Sequence, residues 1–277
     1  MRSPFSARPT ASRLALALLL GGCASVPPSG LVFGVLGDTP YNSAEVQRLD
    51  TLIDDMNQER LDFVVHVGDI GGGRLGCSDA WLAARKRQFA RLKHKFVLIP
   101  GDNEWLDCKD PPGRLAAWRA LFCAPALAVE VQAGEYCEHM RWTMGGALFV
   151  TLNVPGHDNN VRNAAEHAHR MAAVLAWLDE SAALAQPRGA TLVVLMQANP
   201  FLTVPRDGFA ALRERLAALG ERMPGKVILV HGDTHVYHDD EPIAGVHRLE
   251  VWGSPIVSWL RGQIEGAELS FSAPHYR

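Results

Sequence analysis

Short apolar runs that end in Gly-Asp recur four times along this chain. LVFGVLGD ends at Asp38, FVVHVGD at Asp69, KFVLIPGD at Asp102 and VILVHGD at Asp233. Apolar runs of this length that stop at a turn dipeptide predict buried strands. Segments with apolar residues at helical spacing separate them, as in residues 44–60. Alternating strands and helices predict an α/β fold with parallel strands.

The same patterns give an order of elements for one domain over residues 31–277. Strands are predicted over 31–36, 62–67, 96–100, 191–196 and 227–231, a hairpin over 141–154, closing strands over 246–252 and 267–272, and helices over 44–60, 80–94, 164–185 and 208–222. The segment 107–140 contains prolines and cysteines and is interpreted as an irregular insertion.

The first 22 residues have the pattern of an export signal. They contain three arginines and no acid, and the apolar run 14–20 is too short to span a bilayer. Leu20-Gly21-Gly22-Cys23 resembles the lipobox of bacterial lipoproteins. That resemblance implies lipidation at Cys23, a tether over 23–30 and a periplasm-facing membrane anchor in the cell envelope, at the outer membrane because Ala24 follows. An ordinary signal peptide or an uncleaved anchor is the alternative.

Charge narrows the classes of partner. The chain has 277 residues and a formal net charge of −3, which becomes −6 once the three arginines of residues 1–22 are removed. An acidic domain argues against a nucleic-acid surface, so no nucleic-acid partner is expected. A phosphate ligand stays compatible, because a bound metal ion can dominate the local field.

Four cysteines remain after the signal, at positions 77, 108, 123 and 137. An even number in an exported chain predicts two disulfides, and three pairings are possible. Cys77–Cys108 and Cys123–Cys137 are favoured, because the first pair lies on the loops that follow the Asp69 and Asp102 strands. A site of four thiolates around zinc is disfavoured, since no C-x-x-C spacing occurs.

The acids at the strand ends carry the candidate chemistry. Ligands of open α/β sheets bind beyond the carboxyl ends of the strands, so the four aspartates and the nearby His235 are expected to converge. Gly-Asp is also an ordinary turn dipeptide, and Asp often caps a helix. Turns alone would accept Asn or Ser equally well, however. Clustered carboxylates repel one another unless a cation lies among them, so the pattern predicts a metal site.

The order of these motifs resembles that of the calcineurin-like metallophosphoesterases, which carry D-x-H, G-D, G-N-H-[DE], a lone His and G-H-x-H at successive strand ends. The corresponding residues here are Asp38-Thr39-Pro40, Gly68-Asp69, Gly101-Asp102-Asn103-Glu104, Gln197 and Gly232-Asp233-Thr234-His235. The resemblance implies two mixed β-sheets flanked by helices, in four layers. It also implies a centre of two metal ions, the first held by Asp38, Asp69 and His235. The second would take Asp69, Asp102, Gln197 and Asp233.

Several letters depart from the family pattern. Pro40, Gln197 and Asp233 stand where the family has histidines, and Pro40 offers no ligand. A set rich in oxygen favours a hard divalent ion, Mn or Mg, with one or two ions bound. Asn103 takes the place of the histidine that helps the leaving group depart, and Asn has no proton to give near pH 7. His231, with His157 and Glu104, is then a candidate proton donor.

Candidate substrate contacts lie in two loops. His157 and Asn159 follow the hairpin in a polar loop, and Arg74 follows a run of three glycines that either cradles phosphate or is simply flexible. A small phosphorylated compound is the expected substrate.

Two functions follow from the resemblance and its departures. One is a metal-dependent phosphoesterase that hydrolyses a phosphate ester or anhydride with metal-activated water. The other is a catalytically inactive envelope lipoprotein that keeps the fold and binds a ligand or metal. Replacement of histidines by Asp, Asn and Gln favours the enzyme, whereas Pro40 favours the inactive protein.

Overall fold

A computed structural model describes residue 1 and residues 30–266 and 268–273. The predicted signal, Cys23 and most of the predicted tether lie outside these described residues. No helix within the described ranges is long and apolar enough to cross a membrane.

The elements alternate as the sequence pattern predicts. In chain order they are β1 (Leu31–Leu36), α1 (Ser43–Met56), β2 (Phe63–His66), α2 (Asp79–Phe89), β3 (Lys95–Leu98), α3 (Pro111–Phe122), β4 (Glu130–Val131), β5 (Met140–Met144), β6 (Ala147–Thr151), α4 (Ala164–Ala185), β7 (Thr191–Leu195), α5 (Ala210–Arg222), β8 (Val227–His231), β9 (His238–Ile243), β10 (Val246–Glu250), β11 (Leu260–Glu265) and β12 (Glu268–Ser272).

The strands form two mixed sheets. The five-stranded sheet has the order β12-β11-β1-β2-β3. Strands β1, β2 and β3 are parallel, β11 pairs antiparallel with β1, and β12 pairs antiparallel with β11. The seven-stranded sheet has the order β4-β5-β6-β7-β8-β10-β9, with β6, β7, β8 and β10 parallel. The parallel strands of both sheets supply the loops of the candidate site.

Three apolar clusters hold the layers together. Residues on the facing sides of the two sheets, such as Phe33 and Phe149, form the central cluster. A second cluster joins α4 and α5 to the outer face of the seven-stranded sheet, and a third joins α1, α2 and α3 to the five-stranded sheet. The predicted four-layer arrangement of helix, sheet, sheet and helix is thereby confirmed.

The insertion contains a helix that the sequence analysis missed. Pro111 and Pro112 were expected to break the segment, yet they occupy the first turn of α3, where a backbone N–H has no intrahelical partner and proline is tolerated. Asp110 caps this helix through the N–H of Gly113. The disulfides Cys77–Cys108 and Cys123–Cys137 tie the segment down, as predicted.

Candidate metal centre

The predicted acids converge where the ends of the two sheets meet. Asp69 and Asp102 follow β2 and β3 of one sheet, and Gln197 follows β7 of the other. The Gln197 Nε2 atom lies 3.3 Å from Asp69 Oδ2 and 3.3 Å from Asp102 Oδ1. The amide of Gln197 therefore joins carboxylates from the opposite sheet, and all three side chains belong to one site.

Asp69 lies at the middle of this site. Its Oδ2 accepts hydrogen bonds from the Tyr41 hydroxyl at 2.8 Å and from Asn103 Nδ2 at 3.0 Å, and its Oδ1 accepts one from the Asn103 N–H at 3.2 Å. Tyr41 follows Pro40, which stands at a family ligand position. The Tyr41 hydroxyl thus enters the centre from the place where the sequence lacks a ligand.

Asp38 and His235 form the deeper side of the site. Both carboxylate oxygens of Asp38 accept the Asp233 N–H at 3.1 Å. His235 Nδ1 donates to the Ser254 carbonyl at 2.6 Å, so Nε2 is the ring nitrogen that faces the site. That Nε2 lies 3.9 Å from Asp38 Oδ1 and 3.2 Å from the Tyr41 hydroxyl. The ring is oriented as a metal-ligating histidine would be, with its second nitrogen fixed by a carbonyl.

Asp102 forms the outer side, towards solvent. His157 Nδ1 donates to Asp102 Oδ2 at 3.2 Å, and the backbone of Asp107 returns to the Asp102 carbonyl at 3.1 Å. Gly156, which precedes His157, approaches two carboxylates so closely that an added Cβ would lie 2.6 Å from Asp233 Oδ1 and 3.0 Å from Asp102 Oδ2. This glycine leaves open the space between the two acids.

Two buried glutamates behind the site hold its loops. Glu104 accepts the backbone N–H groups of Gly101, Ile70 and Asp69 at 2.7, 2.6 and 3.2 Å. It therefore fixes the loop that follows β2 against the loop that follows β3.

Glu250 does the same for the seven-stranded sheet. It accepts the Thr234 N–H at 3.0 Å and Asn199 Nδ2 at 2.9 Å. The Asn199 N–H in turn donates to Asp233 Oδ2 at 2.9 Å, so Glu250 orients Asp233 through one intermediate residue.

Burial makes the ionised carboxylates unfavourable without a counter-charge. Burial, with the charge of Asp233 second, raises the pKa of Asp38 well above its usual value. Burial and then Asp102 do the same to the pKa of Asp69. Burial raises the pKa of Asp233 to about 7, against the lowering effect of the Asn199 N–H. These acids are held in a geometry that either protons or a cation must neutralise.

The residues present fit a divalent ion. Gln197 is fully buried, with its Nε2 towards the acids and its Oε1 without a hydrogen-bond partner, and a half-turn of the amide would direct Oε1 to a cation between the acids. The surrounding donors are carboxylate oxygens, one amide and the Nε2 of His235, a set that suits hard divalent metals.

His231, a predicted proton donor, is not brought to this site. Val227 and Leu229 of β8 pack beneath the helices, and alternation places His231 on that same outer face of the sheet. Its Nδ1 donates to the Gly232 carbonyl at 2.9 Å, and burial lowers its pKa to about 3. A neutral, enclosed ring on the far face has no path to the acids, so the predicted role is wrong.

Asn159, a predicted substrate contact, is also engaged elsewhere. Its Nδ2 donates to the Gly208 carbonyl at 2.9 Å, and its Oδ1 accepts from Arg170 at 2.6 Å. The side chain is fully buried and holds its own loop in place, so it has no group left for a substrate.

The other predicted substrate contacts border the site. His157 is exposed at its edge. Arg74 is exposed on the turn Gly73–Leu75, next to Gly72, which packs against the Tyr41 ring. Their roles toward a substrate stay predictions.

The comparisons with known proteins agree with this architecture. The calcineurin-like phosphoesterase family model matches residues 31–237. No curated protein sequence matches the chain significantly.

Solved structures share the fold at low identity. A dimetal phosphatase from Danio rerio is 15% identical with a TM-score of 0.61, over 88% of this chain and 95% of that one. GAP50, the anchor in the inner membrane complex of Plasmodium, is 12% identical with a TM-score of 0.58, over 88% and 84%. Purple acid phosphatase PPD1 from yellow lupin seeds is 14% identical with a TM-score of 0.56, over 88% and 52%.

Proposed function

Because this chain belongs to the calcineurin-like phosphoesterase family, whose members hydrolyse phosphoric ester bonds, we propose that it is itself a metal-dependent phosphoesterase. One observation carries the proposal. The Gln197 amide contacts both Asp69 and Asp102 across the two sheets, which supports a shared site for these three predicted ligands. A shared fold alone would not be enough, since function depends on the site.

Asp38, Asp69 and His235, with Asp102, Gln197 and Asp233, are the residues that would hold one or two ions. Mn or Mg suits this oxygen-rich set. A divalent ion supplies charge that neutralises phosphoryl oxygens and lowers the pKa of water.

The protein's own groups position the reaction. Tyr41 and Asn103 donate to one oxygen of Asp69 and fix the rotation of its carboxylate. Asn103 Nδ2 also donates to the Tyr41 hydroxyl at 3.0 Å, so both groups act as one unit beside Asp69. An amide at this position donates a hydrogen bond to a leaving oxygen but cannot transfer a proton to it.

The proposed substrate is therefore a small phosphorylated compound with a good leaving group, such as an aryl ester or a phosphoanhydride. We expect kcat/KM to fall steeply as the leaving-group pKa rises across a series of aryl and alkyl phosphates. Equal rates along that series would show that a proton donor acts there and would contradict the assignment of Asn103.

Metal content and turnover of the purified full chain test the function. The chain is stripped with chelator, exposed separately to Mn, Mg, Ca and Zn, and measured by elemental analysis and with p-nitrophenyl phosphate. The Asp69→Ala variant should lose metal and activity together. The Asp54→Ala variant, whose carboxylate is exposed and pairs with Arg91, is the matched control and should keep both.

An inactive ligand-binding protein is the second candidate, and one observation favours it. The Tyr41 hydroxyl lies within 3.2 Å of His235 Nε2 and 2.8 Å of Asp69 Oδ2, where a metal shared by these two residues would need room. Absence of bound metal under every condition would select this candidate and end the case for hydrolysis.

For the location we propose a lipid anchor at Cys23 in the cell envelope, supported by the lipobox-like sequence before it. Metabolic labelling with a fatty acid should mark the wild-type chain and not the Cys23→Ala variant. Equal labelling of both would contradict the anchor.

A further inference from the structure

A second group of potential ligands lies at the rim of the proposed centre. The ligand atoms of Asp102, Asp107 and His157 all lie within 4.8 Å of one another. In the described part of the chain, the other such group contains Cys123 and Cys137, which are joined as a disulfide. Within the described residues, Asp102, Asp107 and His157 are therefore the one such group whose ligand atoms are not joined in a disulfide.

The family positions on the deeper side are not as compact. Asp38 Oδ1 and His235 Nε2 are 3.9 Å apart, but Asp69 reaches His235 only through the Tyr41 hydroxyl. The compact group of ligand atoms lies instead at the outer side of the site. It contains one predicted metal ligand, Asp102, and two residues that were not predicted as ligands, Asp107 and His157.

The rim group combines a buried acid with two exposed side chains. Asp102 is 5% exposed, whereas the His157 side chain is 82% exposed and Asp107 is also exposed. An ion bound here would be anchored by the buried carboxylate and would keep open coordination positions towards solvent. A phosphoryl oxygen or water can occupy such open positions.

The buried amide of Gln197 is an independent observation at the same place. Its Nε2 is 3.3 Å from Asp102 Oδ1, while its Oε1 is buried without a partner. The two ends of a carboxamide are related by a half-turn, and their assignment follows from the surrounding partners. With a cation beside Asp102, the half-turn would bring Oε1 to the ion and would move Nε2 to the place that Oε1 occupies now.

We propose that Asp102, Asp107 and His157, completed by Gln197 Oε1, bind a divalent cation at the rim of the centre. The proposal rests on the proposed function and adds two ligands, Asp107 and His157, that the family pattern does not contain. Two carboxylates, an imidazole and an amide oxygen suit Mn²⁺, since the imidazole favours a first-row transition ion over Mg²⁺. His157 would thus restore, from the loop after β6, an imidazole that Gln197 and Asp233 do not provide.

Titration of the chelator-treated full chain with Mn²⁺ tests the site, with the free ion counted by its EPR signal. We expect His157→Ala and Asp107→Asn each to weaken binding of one ion by at least about tenfold, because even outer-shell changes have effects of that size. His169→Ala is the matched control, since its ring is exposed and lies 2.6 Å from a carboxylate oxygen of Glu135. It should bind as the wild type does.

Spin-echo spectroscopy of bound Mn²⁺ then identifies the imidazole directly. Measured in the His235→Gln background, the nitrogen modulation should persist and should vanish when His157→Ala is added. Unfolding midpoints without metal, taken for every variant, separate lost ligands from lost folding.

The outcomes distinguish the two proposals. Wild-type-like binding by His157→Ala and Asp107→Asn, together with loss in Asp69→Ala, overturns the rim site and leaves the proposed function standing. No Mn²⁺ binding by the wild type overturns the rim site, and only the absence of Mn, Mg, Ca and Zn alike overturns the proposed function as well. Weakened binding in the two rim variants, with the nitrogen modulation lost, supports the rim site.

Discussion

Removal of Arg170 tests how the loop that carries His157 is held. The Arg170 side chain is fully buried, and it donates to Glu166 at 2.6 Å and to the Asn153 carbonyl at 3.1 Å. It also donates to the Asn159 side chain at 2.6 Å and to the Asn159 carbonyl at 3.0 Å. One guanidinium therefore links α4, the end of β6 and the loop beyond it.

The magnitude for Arg170→Met follows from the groups left behind. Three buried acceptors on Asn153 and Asn159 lose a donor, at about 1 kcal/mol each. The Glu166 carboxylate, 27% exposed, loses a partly screened ion pair of about 1 kcal/mol. The total of about 4 kcal/mol agrees with the range for removing one partner of a buried pair. A domain of this size should lose roughly 8–16 °C in Tm.

Urea unfolding of the oxidised chain, followed by far-UV circular dichroism, measures the change. Arg162→Met is the matched control, because Arg162 lies in the same loop, is 73% exposed and pairs with Asp158. It should change stability by less than about 0.5 kcal/mol. If the Arg170 variant unfolds within 1 kcal/mol of the wild type, or if both variants lose equal stability, the loop is not held by this network.

Three further predictions concern the site and its loops. In the metal-free chain the native-state pKa of Asp233 is raised to about 7, so its contribution to stability is present below pH 4 and lost as pH rises through 7. The stability of wild type relative to Asp233→Asn should fall by up to about 4 kcal/mol over that range in urea titrations, and parallel pH curves would refute this. Gly156→Ala, whose Cβ would meet two carboxylates, should weaken Mn²⁺ binding in the EPR titration without lowering Tm comparably. The paired change of Cys77 and Cys108 to Ser opens a link across 31 residues and should lower unfolding free energy by about 4 kcal/mol; equal urea midpoints would contradict it.

Local patterns in the sequence predicted the alternation of strands and helices and the convergence of the aspartates, whereas the two sheets in four layers followed from the resemblance to the family. Each apolar run that ends in Gly-Asp is a strand whose aspartate reaches the site, because parallel strands expose their carboxyl ends at one edge. Alternation along β8 places His231 on the same face as Val227 and Leu229, away from the site. The prediction of His231 as a proton donor could therefore have been avoided from the sequence alone. The start of a helix at Pro111 could also have been predicted, since proline is favoured in the first turn of a helix.

Other features depend on how the two sheets meet and were not available from local patterns. Tyr41 is a single aromatic residue after Pro40, and nothing in its neighbours indicates that its hydroxyl reaches Asp69. Asp107 lies in an insertion whose path is fixed by a disulfide and by its return to Asp102. Contacts of this kind arise from tertiary packing and not from propensity or period.

The backbone of the site loops suggests how its chemistry can change over evolution while its shape is kept. Non-glycine residues with positive φ, within the described ranges, are Asp38, Asp69, His157, Asn159, Asn160, Asp233 and His235, with φ between 49° and 86°. Asp, Asn and His are the side chains that adopt this left-handed region most readily, and β-branched residues rarely do. The accepted set is also a set of metal-binding and hydrogen-bonding residues. Drift at these positions therefore exchanges one ligand type for another, and a lineage can change its preferred ion by single substitutions without rebuilding a loop.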